Sequence, residues 1–326
     1  MKPKLIITGA TGNTGQVLAE LLKKNNIPFA AMARCEKRLK QLQAAGIQTV
    51  TGDFDDHASL AQALEGVEQA YLVCTPDENL VKREVAFIQA AKKAGVKQIV
   101  KCSAFAADIN SESQNLRSHG QIEKALIESG LNYTILRPHG FMQTFTLFAW
   151  DTIQRAHVIS MPAGDGAFPL VDVRDVALAA FKALTEPEKH AGKIYDITGP
   201  ESLSNYDLAR ILARVLGHPV TYLPSDEGQL KMVMSLLGVP PVPTQHTLVI
   251  FRWQREHKAG EVLPTLEQIG ITPTRYEQFV RDLVAGRTGG GNSFQPPDTL
   301  LVRLMNATMP LMMKTQLLFH RTTVQE

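Results

Sequence analysis

The sequence predicts an α/β protein: a doubly wound parallel sheet followed by a smaller, mainly helical C-terminal cap. Three observations predict it. Short apolar runs alternate with helix-period segments through the first half of the chain, the order expected of β-α-β units. Glycines close several of the helical segments, at Gly46, Gly66, Gly95 and Gly130, each just before the next apolar run. After about residue 150 the alternation loosens into mainly helical patterns broken by prolines.

Taken in order, the strand candidates are Leu5–Thr8, Pro28–Ala33, Ile47–Gly52, Ala70–Cys74, Gln98–Ser103 and Tyr133–Leu136. Between them, Val17, Leu18, Leu21 and Leu22, and later Val81, Val85 and Ile88, recur at helical spacing. Short connections imply right-handed crossovers and helices on both faces of the sheet. Lys193–Thr198 reads as a further strand returning to that sheet, and Asn205–Leu216 as a helix capped by Ser204. Residues 225–285 read as helices broken by Pro240, Pro241 and Pro243, a cap over the carboxyl ends of the strands. The division that follows is 1–156 for the sheet domain, 157–285 for the cap region, and 286–326 for a glycine-rich linker and apolar tail. In the tail, Leu300, Leu301, Leu304, Met305, Met312, Leu317 and Leu318 are too apolar for a solvated helix. The body of the protein, a second subunit and a membrane surface are the contacts left open, in that order.

The 326 residues carry 34 basic and 32 acidic side chains, a net charge of +2 that gives no general reason to bind nucleic acid. Cys35, Cys74 and Cys102 are odd in number and lack metal-ligand spacing, which argues against a disulfide framework and suits a reducing cytoplasm. The first apolar run is too short for the core of a signal peptide.

The chemistry begins at Gly9-Ala10-Thr11-Gly12-Asn13-Thr14-Gly15, which leaves the first strand and opens the first helix. Gly9 permits a tight exit from the strand, Gly12 lets backbone N–H groups approach a pyrophosphate, and Gly15 permits close packing of helix on sheet. The helix N-terminus offers unpaired donors and a partial positive charge to the phosphates. This is the loop of a Rossmann-type nicotinamide dinucleotide site. An NAD site wants a carboxylate at the end of the second strand. Here the sequence is Ala33-Arg34-Cys35-Glu36-Lys37-Arg38, so Arg34 and Arg38 are placed to clasp a 2′-phosphate, with Lys37 adding charge. NADP(H) is the expected cofactor, and Glu36 keeps NAD(H) as the lesser option. Asp53 and Phe54 are placed to flank the adenine, and Thr75 and Pro76 to border the ribose on the nicotinamide side.

Together with Gly9–Gly15, the segments Ala33-Arg34, Gly52-Asp53-Phe54-Asp55 and Ala94-Gly95-Val96-Lys97 resemble the NmrA-like branch of atypical short-chain dehydrogenases. So do Ser129 through Pro138, Gly140-Phe141-Met142, Asp172 through Ala177 and Gly192-Lys193-Ile194-Tyr195, over about residues 4 to 285. The look is that of NADPH-dependent quinone reductases and of triphenylmethane-dye or azo reductases. The resemblance implies that Gly9, Thr11, Gly12, Asn13 and Thr14 hold the pyrophosphate and Arg34 the 2′-phosphate. It implies that Thr75, Ser103, Lys124, Pro138, Gly140 and Phe141 lie near the nicotinamide.

Typical short-chain dehydrogenases place a tyrosine four residues before a lysine for proton transfer. None of the six tyrosines here has a lysine at that distance, and Lys124 has Gly120 instead. A conjugated acceptor, such as a quinone, a dye, an enone or an imine, lowers the demand for a protein acid, because added hydride leaves delocalised charge. Candidate helpers are Ser103, Lys124 and His139, with His119 more simply a polar residue near a helix start. Asp172 and Asp175 read as helix cap and first turn. His139, Phe141, Met142 and Phe145, with Phe148 and Trp150, are placed either to line an acceptor pocket or to form helix core. Neither a flavin nor a metal is expected, since one dinucleotide loop accounts for one cofactor and no ligand cluster has metal spacing. The alternative to an enzyme is a regulator that binds NADP(H) and a protein partner. A homodimer is also compatible with the sequence.

Overall fold

The computed structural model describes residues 3–258 and 260–287, with the side chains of 147, 148 and 151 outside the description. The Leu- and Met-rich tail and the Phe148 side chain therefore lie outside the described residues.

Chain order runs β1 (Leu5–Ile7), α1 (Asn13–Lys24), β2 (Ala30–Ala33), α2 (Glu36–Ala44), β3 (Gln48–Thr51), α3 (His57–Leu64), β4 (Gln69–Leu72), α4 (Leu80–Ala94), β5 (Gln98–Cys102), α5 (Gln114–Glu128) and β6 (Asn132–Pro138). It continues with α6 (Met142–Ala156), β7 (Val158–Met161), β8 (Ala167–Phe168), α7 (Val173–Thr185), α8 (Pro187–His190), β9 (Lys193–Ile197), β10 (Leu203–Ser204), α9 (Asn205–Leu216), β11 (Thr221–Pro224), α10 (Glu227–Leu236), α11 (Pro241–Arg255), α12 (Thr265–Gln268) and α13 (Tyr276–Val284).

Seven strands form one parallel sheet in the order β3-β2-β1-β4-β5-β6-β9. The inner strands β1, β2, β4 and β5 are short and almost wholly buried, so helices must cover both sides, while the edge strands β3 and β9 are partly exposed and more polar. Leu18 and Leu22 of α1 share one apolar layer with Val176 and Ala180 of α7. Leu60 of α3, Phe87 of α4 and Ile122 of α5 fill the other. The strand order reverses between β1 and β4, and the crevice of an open α/β sheet lies there, above the carboxyl ends.

The cap gathers α6, α9, α10, α11 and α13 around a separate apolar cluster that includes Met142, Leu212, Phe251 and Phe279. It contains two strand pairs that sequence periodicity did not announce, β7 with β11 and β8 with β10. Pro241 and Pro243 sit in the first turn of α11, opening that helix where the sequence suggested a break. The first turn requires no intrahelical N–H partner, and the fixed proline φ suits it. The cap is fastened to the loop after β5. Trp253 Nε1 donates to Glu112 Oε1 (3.0 Å), and His246 Nδ1 lies 3.1 Å from Ser113 Oγ.

Candidate active site

The glycine loop has the geometry that phosphate binding asks for. Gly9 has φ +61°, and a Cβ there would stand 2.6 Å from Val73 Cγ1. A Cβ at Gly15 would stand 2.2 Å from the Gly9 carbonyl oxygen, so only glycine lets α1 sit this close to β1. Gly12 is the N-cap of α1 and brings no side chain to cap its first turn, the arrangement in which the backbone at a helix start serves an anion. The Thr14 side chain does not join them. Its Oγ1 lies 2.7 Å from Tyr71 Oη in the interior, so any phosphate contact at Thr14 is through backbone. Asn13 Nδ2 reaches Thr144 Oγ1 of α6 at 3.5 Å, bringing the cap helix to the loop. Thr11 is half-buried beside them.

At the end of β2, Arg34, Lys37 and Arg38 are exposed, and neither arginine has an ion-pair partner among the described residues. Glu36 is engaged by Lys40 at 2.7 Å. Two guanidiniums without an internal partner, an uncapped helix start and a glycine cradle fit a dinucleotide that carries a 2′-phosphate. Next to them, Asp53 Oδ1 accepts from Asp55 N (3.1 Å) and the Phe54 ring packs on Phe87, with centroids 5.6 Å apart. Thr75 and Pro76 are exposed just beyond β4. The sequence reading missed Arg83, which donates to Asp55 (2.9 Å) and to Asp77 (2.6 Å) and so ties together the loops that follow β3 and β4. Both carboxylates raise the affinity of that guanidinium for its proton against the cost of burial. No local spacing in the sequence could reveal this clasp, since Asp55 lies on another β-α unit.

At the ends of β5 and β6 the charges are buried. Ser103 Oγ donates to Glu123 Oε1 at 2.5 Å, and Arg137 holds the same carboxylate through Nε (3.0 and 3.1 Å) and Nη2 (2.5 Å). Lys101 and Glu84 are fully buried and paired at 2.9 Å. Burial pushes the Glu84 carboxyl up, and the adjacent ammonium pulls it back down. Lys101 Nζ also donates to the Cys102 carbonyl and lies 3.5 Å from His119 Nδ1. Burial and the Lys101 charge hold the His119 imidazole well below its ordinary range. Burial likewise holds His246, at the cap contact, down to about 4. Neither histidine is suited to supply protons at neutral pH. A lysine inside the apolar run Gln98–Ser103 was the available signal for the Lys101 pair, because a charge in a buried strand needs a partner.

His139 is buried between Phe105 and Phe168, with ring centroids 5.0 and 4.8 Å away. Its Nδ1 accepts from Gly140 N at 2.8 Å, which assigns the proton of a neutral ring to Nε2. Pro138 is buried and its carbonyl accepts from Phe105 N (2.9 Å), while Gly140 is exposed. Phe141 bridges to Val171 and is half-buried. Met142 is only 2% exposed and belongs to the cap core, which removes it from the pocket wall. Phe145 packs against Phe251 in the same cluster.

Lys124 is the main correction. Its side chain faces solvent, 62% exposed and 3.8 Å from Glu128, and no hydrogen bond ties it to a strand end among the described residues. The residue before it, Glu123, is the one that α5 turns inward. Gly120 explains why the tyrosine template does not transfer. A Cβ there would stand 2.6 Å from the backbone of Asp108 and Ile109, so the loop after β5 lies directly on the helix. Among the described residues no cluster of His, Cys, Asp and Glu could hold a metal ion, and no helix is long and apolar enough to cross a membrane. A cavity of about 540 Å³, lined in part by Phe105, Ala167, Asp196 and Leu263, flanks the Phe105–His139 stack.

Comparison with known proteins agrees with this geometry. The model of the NmrA-like family matches residues 1–272. The NAD(P)H azoreductase of Xenophilus azovorans is 34% identical over 278 residues, covering 85% of this chain and 96% of that protein. The Escherichia coli NADPH-dependent quinone oxidoreductase, in its complex with NADPH, superposes with a TM-score of 0.77 at 29% identity, over 86% of this chain and 99% of that one. The Citrobacter sp. triphenylmethane reductase complexed with NADP(H) gives 0.74 at 25% identity, over 84% and 98%.

Proposed function

Because the chain belongs to the NmrA-like family, we propose that it is an NADPH-dependent reductase of small conjugated acceptors: quinones, dyes, or enones and imines. The observation that carries this reading is the glycine cradle with Arg34 and Arg38 at the end of β2. It stands in a chain similar along most of its length to NAD(P)H-dependent reductases.

NADPH, when bound, supplies a hydride from C4 of its nicotinamide. The first-turn N–H groups of α1 neutralise the pyrophosphate, and the guanidiniums of Arg34 and Arg38 hold the 2′-phosphate. The strand ends at Thr75, Ser103 and Pro138 form the floor on the nicotinamide side. The loop lying on Gly120 fills the space of the usual tyrosine. That favours an acceptor whose conjugation spreads the added charge and which takes its proton from water. Holding the reactants in contact then supplies most of the acceleration. We assign residues 1–156 to cofactor binding and 157–285 to acceptor specificity, with β9 of the second segment completing the sheet. We also place the protein in the cytoplasm, where its three free thiols stay reduced.

The test is NADPH oxidation by the purified, flavin-free chain under anaerobic conditions, against menadione, an azo dye and a triphenylmethane dye. Reduced acceptor should form in proportion to NADPH consumed, with a primary isotope effect from NADPH deuterated at C4. A requirement for added FMN or FAD would rule the mechanism out. Tight NADPH binding with no turnover across the panel would return the reading to a nucleotide-sensing regulator.

A further inference from the structure

Ser103 stands at the end of β5 with both of its donors already used. Its backbone N–H bonds the Leu136 carbonyl at 2.7 Å, and its hydroxyl bonds Glu123 at 2.5 Å. The direction of that second bond follows from the third partner. A guanidinium only donates. Arg137 Nε lies 3.0 Å from the carboxylate oxygen that faces Ser103 and 3.1 Å from the other, and Nη2 is 2.5 Å from the latter. Both oxygens of Glu123 are therefore acceptors, and the proton between Glu123 and Ser103 is the serine's. With Glu123 3% and Ser103 7% exposed, the protein groups around the pair fix this arrangement. What Ser103 Oγ can present to a ligand is lone pairs alone.

We propose that Ser103 is a hydrogen-bond acceptor for an N–H or O–H donor of the bound ligand, not a proton donor. Glu123 and Arg137 are the positioning residues that fix this polarity. The assignment rests on the dinucleotide reading of the groove and adds the sign of its contact at the nicotinamide end. The donor is supplied either by the cofactor, whose nicotinamide carboxamide carries an NH2 group, or by the acceptor. A hydroxyl polarised by a charge-assisted bond to a carboxylate is a stronger acceptor than a free one. It also rejects a ligand that offers a lone pair at the same place, because two acceptors then face each other without a proton.

The two sources separate in equilibrium titrations of the full chain, which need no turnover. The probes are NADPH and the acetylpyridine analogue of NADPH, in which a methyl ketone replaces the carboxamide and no N–H remains. The unaltered protein should prefer NADPH by several-fold to about tenfold, the range of one neutral hydrogen bond. Ser103→Ala should erase that preference. Glu123→Gln should reduce or invert it, since an amide can donate to Oγ and turn the serine proton outward. The ratio of the two affinities within one variant is insensitive to loss of folded protein, and Ser103→Ala alone suffices if the glutamine variant does not fold.

A preference left intact in Ser103→Ala, joined to a raised KM for a hydroxylated quinone but not for menadione, would assign the donor to the acceptor. An intact preference with unchanged KM for both quinones would overturn the proposal. Failure of the unaltered protein to bind either nucleotide would sink the dinucleotide reading, and this assignment with it.

Discussion

At the end of β2 the charged groups stand in water. Arg34, Lys37 and Arg38 project from a loop and a first helical turn, and neither arginine has an ion-pair partner among the described residues. At the ends of β5 and β6 the opposite holds. Lys101 and Glu84 are fully buried, Glu123 is 3% exposed, and each is bonded to groups from a different element. One end of the groove is therefore free to change its ligand chemistry without disturbing the core. At the other end, the residues that shape the site also hold the strand ends together. Substitutions at the two ends should read out differently, as affinity alone or as stability and geometry together.

The largest effect is expected at Lys101. Replacing it with Met leaves the Glu84 carboxylate buried without its cation, and breaking such a pair costs about 3–5 kcal/mol. Replacing both, as Lys101→Met with Glu84→Leu, should recover most of the loss, since well-packed apolar side chains of similar volume are often as stable as a buried pair. Urea denaturation of the two variants beside the unaltered chain reads this directly. If single and double variants lose stability equally, the pair is not a unit, and the contrast between the two ends of the groove weakens.

Arg34 tests the other end. Arg34→Ala should weaken NADPH binding by about 1.5–3 kcal/mol, the range of a hydrogen bond to a charged group, and leave NADH nearly unchanged. The melting temperature should not move, because the side chain is exposed and has no ion-pair partner among the described residues. Equal losses for the two nucleotides would remove the 2′-phosphate from Arg34.

The same contrast marks what the sequence could reveal. The glycine loop was legible because its requirements are local: Gly9 must take a positive φ and Gly15 must admit a carbonyl oxygen, and both sit within one strand-turn-helix unit. The helix Asn205–Leu216 was legible for the same reason, its capping box of Ser204 and Asp207 being three residues apart. β7 and β11 were not, because they lie outside the regular β-α alternation and their pairing joins segments about sixty residues apart. Ser103 was found, but the direction of its hydrogen bond depends on Glu123 and Arg137 from two later elements. Met142 and Phe145 carry a pattern that serves a pocket wall or a helix core equally well, and only the packing shows that Met142 is buried in the cap core while half-buried Phe145 lies against it.

Lys124 gives the smallest expected effect and the sharpest check on the distinction. It follows Glu123 in the sequence, and one helical step of about 100° separates a side chain bonded to the strand end from one in water. Its pairing with Glu128 is an exposed contact four residues along the helix, 3.8 Å long, with both side chains more than 60% exposed. Such pairs contribute at most about 0.5 kcal/mol in isolated helices. Lys124→Ala should leave the melting temperature, the NADPH affinity and kcat/KM with menadione close to those of the unaltered chain. Exposure by itself does not make it silent, since Arg34 is also exposed. The difference is that Arg34 follows directly on the carboxyl end of β2, where ligands of open α/β sheets bind, whereas Lys124 sits within α5 and pairs with Glu128 on its solvent side. A tenfold loss of kcat/KM in Lys124→Ala, with the fold intact, would mean that the outer face of α5 meets the ligand after all. In that case the line between the buried and solvated ends of the groove is drawn in the wrong place.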